Sequence, residues 1–167
     1  MIPLSQLQSR IRVKYEAESG GSDVRFSDND IRLFINEGLE TLAEATGFYE
    51  RYATVPVQAN RQYYDLRGFT PETVASITSV WSSARNDWLQ AANLDALGTD
   101  WELAVGTPQV FIVRGIYWLG VYPRSEGTSD YLRVYFQGIP SRFTHPQAVL
   151  GHLPDDFYPA IEDYVLY

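Results

Sequence analysis

The stretch FSDNDIRLFINEGLETLAEATG, residues 26–47, decides the fold, because it carries both ends of a helix and its apolar stripe. Ser27 and Asp30 have the spacing of a capping box, which satisfies backbone N–H groups at a helix start. Gly47 suits the left-handed residue that follows many helices. The pattern predicts a helix over 28–46 whose buried face holds Ile31, Phe34, Ile35, Gly38, Leu39, Leu42 and Ala45.

Two further helices are predicted, one on each side of the chain's centre. Before residue 26, an apolar stripe at helical spacing predicts a helix over about 3–18, formed by Leu4, Leu7, Ile11 and Tyr15. The run Ser19-Gly20-Gly21-Ser22-Asp23 predicts a loop after it. At the C-terminal end, Pro154 followed by two Asp predicts a helix over 155–167. We expect the first two helices to form an antiparallel hairpin on which the third packs.

Between residues 49 and 138 the sequence is typical of strands. Short runs rich in β-branched and aromatic residues predict strands at 52–57, 62–66, 74–81, 110–113, 116–122 and 131–136. Arg114-Gly115 marks a tight hairpin, 88–97 includes a helical turn, and 123–130 is an exposed loop. The predicted class is α+β, with a small helical bundle formed by residues 1–52 and 141–167. A mainly antiparallel β module, residues 53–140, is inserted into it.

The composition excludes several kinds of site. The 167 residues include no Cys and two His, which excludes disulfides, thiolate metal sites and cysteine nucleophiles. Neither a Gly-x-Ser-x-Gly elbow nor a glycine-rich phosphate loop occurs. No apolar stretch approaches the roughly 20 residues that span a bilayer. We therefore expect no catalysis, no cofactor, no metal and no membrane partner.

Acidic residues outnumber basic ones along the whole chain. The net charge is −8, and residues 1–52, 53–140 and 141–167 carry −3, −2 and −3. No segment has the basic surplus that neutralises nucleic-acid phosphates. Twelve of the thirteen basic residues are Arg, which suits planar hydrogen-bonded pairs at interfaces and equally fits a GC-rich genome.

Three glutamates share the face of the 28–46 helix opposite its apolar stripe: Glu37, Glu40 and Glu44. Paired carboxylates do acid–base or metal chemistry in clefts that shift their pKa, or beside His partners. The sequence supplies neither, so a solvated face is the expectation. Leu33 lies on the same face, where an apolar side chain among glutamates is compatible with a subunit contact.

The β module is rich in aromatic residues, for which three roles stay open. Such rings fill a core, anchor a protein interface or stack on sugars. The candidates are Trp81, Trp88, Trp101, Trp118, Tyr117, Tyr122 and Tyr135. A carbohydrate- or receptor-binding β module of viral origin is therefore the alternative function.

A further pattern extends over nearly the whole chain. It consists of Phe26-Ser27-Asp28-x-Asp30-Ile31-x-x-Phe34-Ile35-Asn36-x-Gly38-Leu39, Leu42-Ala43, Thr46-Gly47, Thr54-Val55, Tyr64-Asp65-Leu66, Leu153-Pro154, Phe157, Ala160 and Tyr164. In this pattern the sequence resembles the head–tail adaptor, or connector, proteins of tailed bacteriophages.

The resemblance implies a structural protein of the virion neck, made in the cytoplasm of the host bacterium. It implies a homo-oligomeric ring, commonly of twelve copies, that joins the capsid portal to the stopper or tail. Double-stranded DNA would pass through the ring during packaging and ejection without specific binding. An acidic wall repels phosphates, so Glu37, Glu40 and Glu44 are predicted to face the channel or solvent. The C-terminal helix is predicted to face the portal, with a candidate interface of Pro154, Phe157, Tyr158, Ile161 and Tyr164.

Overall fold

The computed structural model describes residues 2–18, 26–98, 101–127, 129–145, 148 and 153–166. The chain divides into two compact units: a helical unit, residues 1–49 with 140–167, and a β unit, residues 50–139. The described part of the helical unit contains α1 (Leu4–Glu18), α2 (Asp28–Thr46) and α3 (Tyr158–Leu166). Helices and mainly antiparallel sheets together confirm the predicted α+β class.

Both ends of α2 are fixed by the local signals that predicted them. The Ser27 backbone N–H donates to Asp30 Oδ2 at 2.8 Å, and the Asp30 N–H donates to Ser27 Oγ at 3.2 Å. Hydrogen bonds from the Ser27 side chain and backbone hold the pKa of Asp30 below its usual value. Gly47 has a φ of 63° and donates its N–H to the Ala43 carbonyl. The predicted helix 28–46 is confirmed.

The apolar core of the helical unit draws on all three helices. Its buried members are Leu4, Leu7, Ile11, Ile31, Ile35, Leu39, Leu153, Tyr158 and Ile161. In the predicted stripe Ala45 is exposed, whereas Phe34 and Leu42 are half-buried, and of these two only Leu42 packs against the core cluster. Phe34 packs edge-on against the exposed Phe26, with ring centroids 5.6 Å apart. Asn36 and Ala43 are buried instead, because a later segment of the chain covers Asn36.

The remaining helix boundaries follow proline positions. α1 begins directly after Pro3, and α3 is preceded by a 3-10 turn at Asp155–Phe157 that follows Pro154. Residues 140–145 have no regular secondary structure. The predicted loop Ser19–Asp23 lies outside the described residues.

The β unit contains two four-stranded sheets. The strands are β1 (Glu50–Pro56), β2 (Tyr63–Asp65), β3 (Thr73–Ser82), β4 (Asp87–Trp88), β5 (Gln90–Ala91), β6 (Val110–Arg114), β7 (Trp118–Tyr122) and β8 (Tyr131–Ile139). The first sheet has the order β1-β8-β3-β4 and the second the order β2-β7-β6-β5. All pairs are antiparallel except β5 with β6. The six predicted strands are confirmed, whereas β4 and β5 are too short to give a sequence signal.

The two sheets share one apolar core. β8 alternates as predicted, with Leu132, Val134 and Phe136 fully buried and their neighbours half-exposed. Buried side chains of the second sheet, among them Tyr64, Phe111 and Leu119, belong to the same cluster. The predicted hairpin at Arg114-Gly115 is confirmed, with Gly115 at φ 62°. The predicted turn within 88–97 is the 3-10 turn Leu94–Ala96, while the predicted exposed loop 123–130 includes the buried Ser125.

Candidate interaction surfaces

The predicted portal-side residues divide between the core and the surface of the helical unit. Tyr158 and Ile161 are buried, and Tyr158 Oη accepts the backbone N–H of Ile2 at 3.4 Å. Phe157 is half-buried, with its ring centroid 5.3 Å from that of Phe48. Pro154 and Tyr164 are exposed. In the described structure, only the exposed members of this set can contact a partner protein.

Ion pairs hold α3 and the start of α2 on α1. Arg10 Nη2 lies 2.9 Å from Glu162 Oε1, and the Glu162 side chain is nearly buried. Lys14 pairs with Asp163, and Arg12 pairs with Asp28 at the start of α2. Each basic residue of α1 therefore has a partner within its own chain.

The acidic face of α2 does not consist of three similar carboxylates. Glu40 accepts two hydrogen bonds from Arg142, from Nε at 2.7 Å and from Nη2 at 3.2 Å. This hydrogen bonding, more than the charge of Arg142, holds the pKa of Glu40 below its usual value. Glu37 is half-exposed and Glu44 is exposed. Glu40 is thus paired with a cation, unlike Glu44. Leu33 on the same face is 43% exposed.

Residues 142–144 form a segment that runs along α2. The buried Asn36 donates from Nδ2 to the Phe143 carbonyl at 3.1 Å and accepts the Phe143 N–H on Oδ1 at 2.8 Å. Arg32 donates to the Thr144 carbonyl at 2.9 Å. One amide side chain therefore pairs both backbone groups of Phe143, in the manner of a neighbouring strand.

The outward face of the first sheet carries an aromatic cluster around one arginine. We call it the Arg133 patch, and its members are Tyr52, Trp81, Trp88, Tyr131, Arg133 and Tyr135. The Arg133 guanidinium carbon lies 5.4 Å from the ring centroid of Tyr52 and 5.7 Å from that of Trp81. Tyr135 lies between two further rings, 5.7 Å from Tyr52 and 5.3 Å from Trp88.

The register of the sheet explains how these residues meet. Tyr52 of β1 lies opposite Tyr135 of β8, and Trp81 of β3 lies opposite both Arg133 and Trp88. Because alternate residues of β8 fill the core, the residues between them point to the other face. All four strands of the sheet contribute to the patch.

The remaining aromatic candidates lie on the second sheet and its loops. Trp101 is buried against Tyr63 and Tyr122, with centroids 6.0 and 6.4 Å away. Arg114 donates to Tyr63 Oη at 3.3 Å, and Trp118 is partly exposed beside them. The aromatic residues therefore serve both as core and as surface, depending on the strand face.

The described residues hold no cluster of three or more His, Asp or Glu side chains that could bind a metal ion. Within the same ranges, no helix combines the length and the apolar character needed to cross a membrane.

Comparison with known proteins identifies the family. The family model of the SU10 adaptor protein matches residues 2–167. The chain belongs to this family. A search of curated proteins found no match.

As a member of the SU10 adaptor family, the chain is a bacteriophage adaptor protein, a structural component of the virion neck. This agrees with the resemblance found in the sequence. An adaptor works through its surfaces, so the exposed residues described above are the candidates for contacts with its partners.

Sequence reasoning missed three residues that shape these surfaces of the adaptor. Asn36 gave a weak signal, because it is a polar residue beside an apolar stripe. Arg142 gave none, since its partner Glu40 is 102 positions away. Glu162 gave no signal either, because its partner Arg10 belongs to α1 and is distant in the sequence.

Proposed function

We propose that this adaptor assembles as a homo-oligomeric ring of twelve copies between the capsid portal and the stopper or tail. The observation that supports the proposal is the family match over residues 2–167. Double-stranded DNA passes through the ring during packaging and ejection, without specific binding. The role is structural and requires neither catalysis nor a cofactor. The chain is made in the cytoplasm of the host bacterium and joins the neck during assembly.

The charge of the chain fits a passage for DNA. A net charge of −8 without a basic segment disfavours adhesion of DNA phosphates to the wall of a channel. We propose that Glu37 and Glu44 of α2 face this channel. Glu40 belongs to the same face, but its pairing with Arg142 weakens its repulsion of DNA.

We further propose that the C-terminal part of the helical unit faces the portal. Pro154 and Tyr164 are the exposed members of the candidate interface, and Phe157 is half-buried. Tyr158 and Ile161 contribute indirectly, because their burial anchors α3 on the helical unit.

Electron cryomicroscopy of the particle tests this proposal. We expect density for twelve copies of the chain in a closed ring between portal and tail, with Pro154 and Tyr164 in contact with the portal. A neck that lacks the chain, or that holds it as isolated copies, would contradict the ring. A ring with α3 turned away from the portal would contradict only the orientation.

A further inference from the structure

The Arg133 patch has the composition of a protein–protein interface. Trp, Tyr and Arg are enriched among the residues that dominate binding energy, and charged residues other than Arg are depleted. All six members of the patch belong to these three types. Tyr52 and Trp88 are 59% and 50% exposed. A contiguous aromatic surface on a water-facing sheet is typical of an interaction site.

The side chains of the patch are already held in place. Arg133 packs on the rings of Tyr52 and Trp81, and Tyr135 packs on Tyr52 and Trp88. Side chains that are ordered before binding lose less rotamer freedom in a complex. The side chains of the patch are therefore preorganised for binding a partner protein.

Charge indicates what kind of partner fits. Arg133 is the one charged residue of the six, so the patch carries +1. The helical unit contains six basic and twelve acidic residues, a net charge of −6, whereas the β unit contains seven and nine, a net charge of −2. A second copy of this chain thus offers a strongly acidic unit to an aromatic surface centred on a guanidinium.

One exposed position of the helical unit matches the patch in detail. Val13 of α1 is 66% exposed, and Glu16 follows it at i+3 on the same helix face. The basic residues of α1 form ion pairs with Asp28, Glu162 and Asp163. The acidic partner in each of these pairs is therefore a residue other than Glu16. An apolar side chain beside a carboxylate is the complement of an aromatic ring beside a guanidinium.

We propose that the Arg133 patch of one copy binds the Val13–Glu16 face of α1 on a second copy. The two surfaces differ, so the contact is heterologous and repeats from copy to copy, which is the kind of interface that a closed ring of identical copies uses. This inference rests on the proposed ring and specifies which surfaces of neighbouring copies meet.

Photo-crosslinking in assembled particles tests the contact directly. A photoreactive phenylalanine derivative replaces Tyr52, and a matched control places it at the partly exposed Trp118 of the second sheet. We expect the substitution at Tyr52 to give covalent dimers of this chain joined to residues 1–25 of the second copy, and the control to give no such adduct. Adducts with another virion protein, adducts within the β units, or no adduct in particles that show a ring would overturn the contact.

A charge exchange gives an independent readout that a folding defect cannot imitate. Phage lacking the adaptor is complemented with variants, and the adaptor content of purified particles is measured by mass spectrometry. We expect Arg133→Glu and Glu16→Arg each to lower incorporation about tenfold, and the double variant to restore it. Arg114→Glu, on the second sheet, serves as the control and should keep normal incorporation.

The two proposals fail in different ways. If wild-type particles show no ring in the neck, both the proposed function and the proposed contact are wrong. If they show a ring and the double variant stays as defective as the single ones, the ring stands and this contact is wrong.

Discussion

The ring of Tyr164 in α3 lies against the backbone of α2 at Gly38. A Cβ atom on Gly38 would stand 3.0 Å from Tyr164 Cδ1 and 3.4 Å from Cγ. Glycine in a helix interior costs about 1 kcal/mol relative to alanine. The close approach of α3 offsets this cost, so Gly38 belongs to the contact between the two helices.

Replacing Gly38 with Ala should have opposite effects in two backgrounds. In the wild type, the new methyl group must displace the Tyr164 ring, and overpacking of this kind typically costs more than the gain in helix propensity. We expect Gly38→Ala to lower the free energy of unfolding by about 1 kcal/mol. In a Tyr164→Ala background the same change should raise it by about 1 kcal/mol. Denaturant titration of the wild type, the two single variants and the double variant measures the free-energy change that Gly38→Ala causes in each background. Equal changes in the two backgrounds would disprove the contact.

Removing the amide of Asn36 should destabilise the helical unit. Asn36→Ala leaves the N–H and the carbonyl of Phe143 without their partner. Since Asn36 is buried, we expect a loss of about 2 kcal/mol in the free energy of unfolding. Thr41→Ala is the control, because Thr41 is an exposed polar residue of the same helix, and its effect should stay within about 0.5 kcal/mol. Similar losses from both variants would mean that the 142–144 segment does not depend on Asn36.

The pair Glu40–Arg142 should make stability depend on pH below neutrality. The pKa of Glu40 is held below its ordinary value of 4.5, chiefly by hydrogen bonding to Arg142. A lowered pKa stabilises the fold above the unfolded-state value, and this contribution is lost as the pH falls through the folded-state value. Both side chains are partly exposed, so Glu40→Gln should cost at most about 1 kcal/mol at pH 7.

Unfolding curves of wild type and Glu40→Gln between pH 7 and about pH 3 measure this contribution. We expect the difference between the two proteins to shrink toward zero at the acidic end. Glu44→Gln makes the same charge change at an exposed position of α2 and should leave the curve within about 0.5 kcal/mol of wild type. A constant difference across the range would show that Glu40 contributes through packing and not through its charge.

Neutralising the proposed channel carboxylates should slow genome ejection. The double change Glu37→Gln with Glu44→Gln removes two negative charges and should leave folding intact, because like-charge pairs on a helix surface cost only a few tenths of a kcal/mol. With weaker repulsion of DNA, ejection from purified particles should be slower at low salt, and the effect should shrink as salt screens the charges. Ejection at the wild-type rate in low salt would remove these residues from the channel.

The parts of the fold predicted correctly are those governed by neighbouring residues. The limits of α2 follow from Ser27, Asp30 and Gly47, whose bonds span at most four positions. The alternation of β8 follows from its own pleat, so the buried and outward faces of that strand were readable from residues 131–136. The α+β class follows because both periodicities are strong over long stretches.

The parts that sequence could not provide depend on distant partners. Phe34 is apolar and would be expected in a core before the polar Asn36. Asn36 is buried nevertheless, because the backbone N–H and carbonyl of Phe143 both form hydrogen bonds with its amide. The Arg133 patch depends on the order of four strands in the sheet. The residue pattern of one strand does not show which other strand pairs with it. For the same reason the aromatic residues could be counted from the sequence but not divided between core and surface.

The helical unit is assembled from segments on either side of the β unit, and this sets the order in which its parts leave the ribosome. α1 and α2 emerge before the β unit, and α3 emerges after it. Until α3 emerges, Leu4, Leu7 and Ile11 have no Tyr158 or Ile161 to cover them. A prematurely terminated chain therefore displays apolar surface that marks it for aggregation or degradation. Only a chain translated through α3 completes its helical unit, so shorter fragments lack a finished core.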